Sequence, residues 1–290
     1  MGMVRRQIVG QTRESVAHAT PSPFGMGVVA RLAAVSVLVT AVLGLRPLTS
    51  AAAGRVTVCG SGCDRDSIAV ALTEVSAGGT IEVLDAEHTE GGILVDKDVT
   101  IAGLGASESI VQAHATHGEA ATRVFEIAPE AEVTIQDLTV RHGNVSGVSP
   151  RGGGILNHGM LTLERVAVVS NQVVGADGDP GETAQGGGVY SDGDLTVIGS
   201  TLSSNTARGG DGPSHNDDGG DGQGGALFIG GGSTGLVDVT ISANSAHGGA
   251  GDDTGGRGQG GGVYAGGGSA RLLNVTISGN GVRKGYACGG

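Results

Sequence analysis

From residue 152 onward the apolar positions fall in short pairs two apart. Leu161 and Leu163 are followed by Val166 and Val168, and Leu195 and Val197 repeat the first pair. Many are β-branched, and a period of two belongs to a strand with one buried face, not to a helix. Between pairs the step lengthens to three (Leu163 to Val166, Leu236 to Val239, Leu272 to Val275), which predicts a bend between two short strands. A third strand is expected after each glycine cluster, at ILN (155–157), VYS (189–191), LFI (227–229) and VYA (263–265). Three short strands per unit describe one coil of a β-solenoid.

The units are GGGILNHGMLTLERVAVVSN (152–171), GGGVYSDGDLTVIGSTLSSN (186–205), GGALFIGGGSTGLVDVTISAN (224–244) and GGGVYAGGGSARLLNVTISGN (260–280). Gly154 to Asn171 and Gly188 to Asn205 each span 17 residues, and Ala226 to Asn244 and Gly262 to Asn280 each span 18. A core of constant length between variable loops marks a stacked supersecondary unit. VTIQDLTVRHGN (133–144) carries the same pattern at Val133, Ile135, Leu138 and Val140, and VTIAGLG (99–105) carries its beginning. The solenoid is therefore expected to start ahead of the glycine-rich half, with about six or seven coils rising ~4.8 Å each.

The closing residues Asn144, Asn171, Asn205, Asn244 and Asn280 are expected to stack at one corner. Asn tolerates the left-handed backbone of such a corner, and its amide can bond to the coils above and below. The loops 145–151, 172–185, 206–223 and 245–259 are rich in Gly and Asp and poor in apolar residues, so they are expected to be solvated and mobile. Tyr190, Phe228 and Tyr264 each fall two residues after a glycine cluster. With Val189, Leu227 and Val263 turned inward, the rings point outward as a stack, either a structural column or a platform for sugar or protein. At the other end, Ile68, Leu72 and Val75 share one helical face behind Asp66 or Ser67, which predicts a short helix over 67–75 that caps the first coil.

Composition sharpens this picture. Glycine supplies 58 of 290 residues, 17 of them before residue 151 and 41 after, without a triplet period and with only 7 prolines, which excludes collagen. Residues 32–45, LAAVSVLVTAVLGL, form a fourteen-residue apolar run behind Arg31, followed by Ala51, Ala52 and Ala53. That length fits the core of a secretory signal and is short of the roughly 20 residues that span a bilayer. Residues 1–53 are thus expected to be an export signal cleaved after Ala53, with Met26 an alternative start, and 54–290 the β-helix domain, with no membrane span in the mature chain. Without residues 1–53, which hold five arginines and one glutamate, the net charge is −16. No Lys/Arg run follows Arg31, so nucleic acid is not an expected partner. Cys59 and Cys63 flank a glycine-containing loop and suit a disulfide in an oxidising compartment, whereas zinc needs four ligands and finds two. Cys288 is left over. After Asn280 the chain reads as a loop and the first glycines of another unit. It is expected to stop inside a repeat, with the natural product continuing or this end associating with another.

The GG[GA]-[ILV] openings and Asn closings resemble secreted bacterial right-handed parallel β-helix proteins of the pectin-lyase-like superfamily, in particular polymorphic outer-membrane-protein repeats. The resemblance covers about 59–290, and the run from Cys59-Gly60-Ser61-Gly62-Cys63 to Ile101 is similar to the opening of such domains. It implies an all-β, right-handed parallel β-helix with a short N-terminal capping helix, at the cell surface or secreted. It does not fix an activity, because the superfamily spans lyases, hydrolases, epimerases and adhesins.

The residues that such activities use are sparse here. Lyases of this fold hold Ca²⁺ on a rigid strand face beside a basic residue, whereas Asp217-Asp218 and Asp252-Asp253 fall in loops, and Lys97 and Lys284 are the only lysines after residue 53. Galacturonan hydrolases show paired aspartates and Gly-His-Gly, whereas Arg141-His142-Gly143 has no matching aspartates. His88, His158 and His247 share no coil position and read as dispersed surface histidines. Gly248–Asp253 matches the first six positions of a calcium-binding nonapeptide, with Gly255 in its apolar position and no tandem copy. Ca²⁺ is the one cofactor this leaves open. The leading expectation is a scaffold for adhesion or ligand interaction, its partner a polysaccharide or a surface protein. The alternative is a polysaccharide lyase or glycoside hydrolase acting on acidic polysaccharide.

Overall fold

The computed structural model describes residues 54–212 and 217–287. The expected export signal and Cys288 lie outside the described residues. Over the described residues the chain winds through five all-parallel sheets and one α-helix, a right-handed parallel β-helix. One coil shows the route: Val189–Ser191 in sheet I, Asp194–Ile198 in sheet II, Thr201–Ser203 in sheet III, Thr206–Arg208 in sheet IV and Gly222–Gln223 in sheet V.

The alternation sets which side chains fill the coil. In Asp194–Ile198, Leu195 and Val197 are buried while Asp194, Thr196 and Ile198 face out. Ile135, Leu163, Val197 and Leu236 then stack in one line through the interior, and a slip of one residue would turn such a line to solvent. The three-residue step is a corner. Asp137, Arg165, Asp238 and Asn274 adopt left-handed backbone there (φ 53–56°), and Leu138, Val166 and Val239 next to them are buried.

Helix α1 (Ile68–Glu74) is capped by Ser67, whose side chain accepts from the Val70 N–H. It buries Ile68, Ala71 and Leu72 over the strands Arg55–Val58, Gly79–Val83 and Ile93–Val95, closing the apolar interior of the first coils. Sheet II has eight strands, sheet III seven and sheet I six. Sheet II has one strand more than sheet III because Arg55–Val58 adds a strand ahead of the helix.

The larger correction concerns the loops. Gln172–Gly175, Thr206–Arg208 and Ser245–His247 lie in sheet IV, and Ala184–Gln185, Gly222–Gln223 and Gly258–Gln259 in sheet V. A full coil thus has five strands instead of three, and 172–185, 206–223 and 245–259 stack in their described parts as a layered blade, not as mobile loops. Its two legs share a small apolar contact of Val173, Ala184 and Ala207. Beyond that, backbone bonds to backbone in a continuous series. Glu182 N donates to Ala176 O (2.9 Å), Gly210 N to Glu182 O (2.9 Å), Gly220 N to Gly210 O (2.8 Å), Gly249 N to Gly220 O (2.9 Å), Gly256 N to Gly249 O (2.9 Å) and Gly285 N to Gly256 O (2.8 Å). This staircase crosses from leg to leg and from coil to coil. A Cβ on Gly210 would overlap the Ala176 carbonyl, and one on Gly249 the Gly210 carbonyl. Scarcity of apolar side chains does not imply a solvated segment where glycine lets peptide groups satisfy one another at contact distance.

Candidate functional site

Four of the five asparagines form a continuous ladder inside the corner between sheets III and IV. The side-chain Nδ2 of Asn171 donates to Oδ1 of Asn205 (3.0 Å), Asn205 to Asn244 (3.0 Å) and Asn244 to Asn280 (2.9 Å). Each accepting oxygen also takes the backbone N–H of the preceding asparagine. Each Nδ2 has a second partner on the neighbouring coil, as in Asn205 to Val168 O (2.9 Å). Asn171 and Asn205 are fully buried.

Asn144 stands outside this ladder. Its register partner is Gln172, and Gly143 occupies the ladder position, donating from its N–H to Asn171 Oδ1 (2.8 Å). Asn144 turns instead to the carbonyls of Gly118 and Ala120 (both 2.9 Å). The left-handed residue is also not the asparagine. Ser170, Ser204 and Ala243 just before it take that conformation (φ 54–57°), so the amide is needed for its hydrogen bonds and not for its backbone tolerance.

The aromatic column leaves the solenoid interior, as the alternation requires. Tyr190 and Phe228 stack at 5.2 Å between centroids and Phe228 and Tyr264 at 5.4 Å, with Leu156 at one end. The Arg151 guanidinium lies 5.0 Å from the Tyr190 ring centre. Yet Tyr190 and Phe228 are each only 5 % exposed. The turns of the following coils close on them, so that Gly230 abuts the Tyr190 hydroxyl and Gly266 the Phe228 ring. As a flat outward platform the column is corrected: the ring faces are spent on one another, and only Tyr264 is half open.

At the N-terminal end Cys59 and Cys63 are joined by a disulfide, and Gly60 N–H in their loop donates to both Asp85 carboxylate oxygens (3.1 Å). His88 is buried, contrary to the expected surface position, between Asp85 (3.4 Å) and Glu90 (2.8 Å). Burial alone would lower its pKa, but hydrogen bonds to Glu90 and Asp85 and their charge raise it above the usual value. Glu90 also accepts from Ile68 N (2.7 Å), Ala69 N (3.0 Å) and Ser67 Oγ (2.8 Å). Burial raises the Glu90 carboxyl, yet these donors together with His88 hold it at about 2. The cluster ties helix α1 to the first coils.

Among the described residues no group of three or more His, Cys, Asp or Glu side chains converges as a metal site. Asp252 and Asp253 instead use their backbone N–H groups to donate to the Asp217 carbonyl (2.9 and 3.3 Å). His142 of the Arg141-His142-Gly143 run donates from Nδ1 to the His114 carbonyl (3.0 Å) and meets His117 edge-on (5.8 Å).

The structure assembles two outward columns that single repeats do not announce. Thr80, Thr100, Thr134, Thr162 and Thr196 stand in register on the outer face of sheet II. Beside them lies a groove of about 280 Å³ formed with Asp98 and Glu132. The triplets VTI, VTI, LTL and LTV at 99–101, 133–135, 161–163 and 195–197 are the sequence signal for it. Gln185, Gln223 and Gln259 form an amide ladder (2.9 Å at each step) in sheet V. Compared with family models, curated proteins and solved structures, the chain finds no match.

Proposed function

We propose that the protein is a secreted or cell-surface β-helix scaffold for adhesion or ligand interaction, of the pectin-lyase-like kind, whose partner is a polysaccharide or a surface protein. The observation that supports this reading is the threonine column of sheet II. Five identical hydroxyls repeat at one-coil spacing, roughly 4.8 Å, beside a carboxylate-lined groove. A linear array of this kind suits a linear, repeating, hydroxyl-rich partner, since each added coil extends the same contact. The Cys59–Cys63 disulfide and the apolar run 32–45 favour an exported chain.

Binding of the purified protein to a panel of neutral and acidic polysaccharides by affinity electrophoresis tests it. Retardation by one polymer, lost in the near-isosteric pair Thr134→Val/Thr162→Val, is the expected outcome. Unchanged retardation of that variant would overturn the assignment to this face. Ultraviolet absorbance of unsaturated uronate released from acidic polysaccharide in the presence of Ca²⁺ would replace the scaffold with a lyase.

A further inference from the structure

Sheet IV carries a basic column on a strongly acidic chain. Arg208, His247 and Arg283 are consecutive register partners on three successive coils. With Lys284 and Tyr286 they line a cleft of about 340 Å³ on the blade, within the range of roughly 300–1,000 Å³ of small-molecule sites. The charges in it are not equivalent. Arg208 is held by Asp211, whose oxygens lie 2.8 and 3.0 Å from its Nη2, and Asp211 is itself fixed by the Ala250 N–H (2.8 Å). Among the described residues neither Arg283 nor Lys284 has a carboxylate within salt-bridge distance. Two cations therefore face the cleft with no counter-ion among the described residues, while the chain as a whole is at −12.

His247 sits between the two arginines. Burial first, then the Arg283 and Arg208 charges, lowers its pKa and so disfavours the imidazolium; Asp211 and Lys284 are the other charged groups at the cleft. An anion placed among Arg283, Lys284 and His247 reverses that balance, because it favours the imidazolium it touches. The backbone is rigid there: Gly248 N donates to Arg283 O (2.9 Å), and Gly285 is locked to Gly256 (2.8 Å). The groups are thus presented at fixed spacing.

We infer that this cleft is an oxyanion site, in which Arg283, Lys284 and protonated His247 receive a carboxylate or sulfate group while Asp211 fixes Arg208 as its wall. It lies on a different sheet from the threonine column and adds a ligand class to the proposed scaffold without depending on that face. Binding takes up a proton at His247, so affinity rises as pH falls.

The test uses the full chain, with sodium sulfate and a short oligogalacturonate as probes, calorimetry at pH 5.5 and 7.5, and NMR titration of the His247 ring. The expected result is an upward His247 shift of about one unit with saturating probe and several-fold tighter binding at the lower pH, about tenfold being the ceiling that one unit sets. Arg283→Gln/Lys284→Gln, both on exposed positions, should abolish binding and the shift. Arg271→Gln, which removes one cation from sheet II, should leave both. Binding of sulfate shows that a free anion suffices, and binding of oligogalacturonate alone shows that the carboxylate polymer is the source; either supports the site. Absence of both, a His247 titration unmoved by a bound probe, or equal binding by the double variant overturns it. Thr134→Val/Thr162→Val should bind sulfate normally, which separates a failure here from a failure of the threonine face.

Discussion

The Oδ1 atom of Asn205 accepts two hydrogen bonds from one residue, the backbone N–H and the side-chain Nδ2 of Asn171, each at 3.0 Å. Both groups are buried, and no water replaces a lost partner cheaply. Asn205→Leu should therefore lower stability by about 1–3 kcal/mol for the orphaned Asn171 donors. Asn144→Leu, outside the ladder, should cost less. Urea midpoints of the two variants check this, and equal losses would mean that the ladder is not what holds the corner.

The blade makes a prediction about a single methyl group. Gly249→Ala must push the Gly210 carbonyl away and break the staircase, at a cost of about 1–3 kcal/mol. Gly235, inside the strand Ser233–Val237, differs: nothing lies within 4 Å of its Cβ position and its φ is not in the left-handed region. Gly235→Ala should be neutral or stabilise by about 0.4–1 kcal/mol. Thermal unfolding of both variants reads the contrast, and hydrogen exchange should show protected N–H groups at Gly210, Gly220, Gly249 and Gly256.

Two opposite pH limbs follow from the Glu90–His88 pair. The Glu90 carboxyl is lowered from its usual 4.5 to about 2, so its contribution, about 3 kcal/mol, is whole above pH 4.5 and is lost as pH falls through 2. The His88 pKa is raised from 6.5; its contribution is whole below that value and fades as pH rises through the higher folded one. Glu90→Gln should lower stability at pH 6 and flatten the acid limb. A variant with the wild-type acid limb would remove Glu90 from the cap.

The aromatic column predicts unequal costs along one stack. Tyr190→Ala removes a ring that is 5 % exposed, with a guanidinium on one side and Phe228 on the other, and should cost about 3 kcal/mol. Tyr264→Ala, half open, should cost about 1 kcal/mol. Equal midpoints for the two variants would contradict the burial described.

The sequence by itself determines the solenoid, because alternation and a constant core length are local properties of the chain. Ile135, Leu163 and Val197 must face inward in any stacking that buries them, and Ser67 with Ile68 and Leu72 specifies the capping helix without reference to anything distant. The exclusion of Asn144 is also legible once counted from the apolar residue: Val168, Leu202, Ile241 and Ile277 precede their asparagines by three positions, whereas Val140 precedes Asn144 by four. Tertiary structure alone decides the rest. Whether a glycine-rich segment is solvent-borne or layered depends on which carbonyl of another coil meets each N–H, and composition does not carry that information. The burial of Tyr190 is set by Gly230, forty residues away in sequence. The basic cleft exists because register brings Arg208, His247 and Arg283 onto one column. They lie 39 and 36 residues apart in sequence, and only stacking at coil distance makes them neighbours.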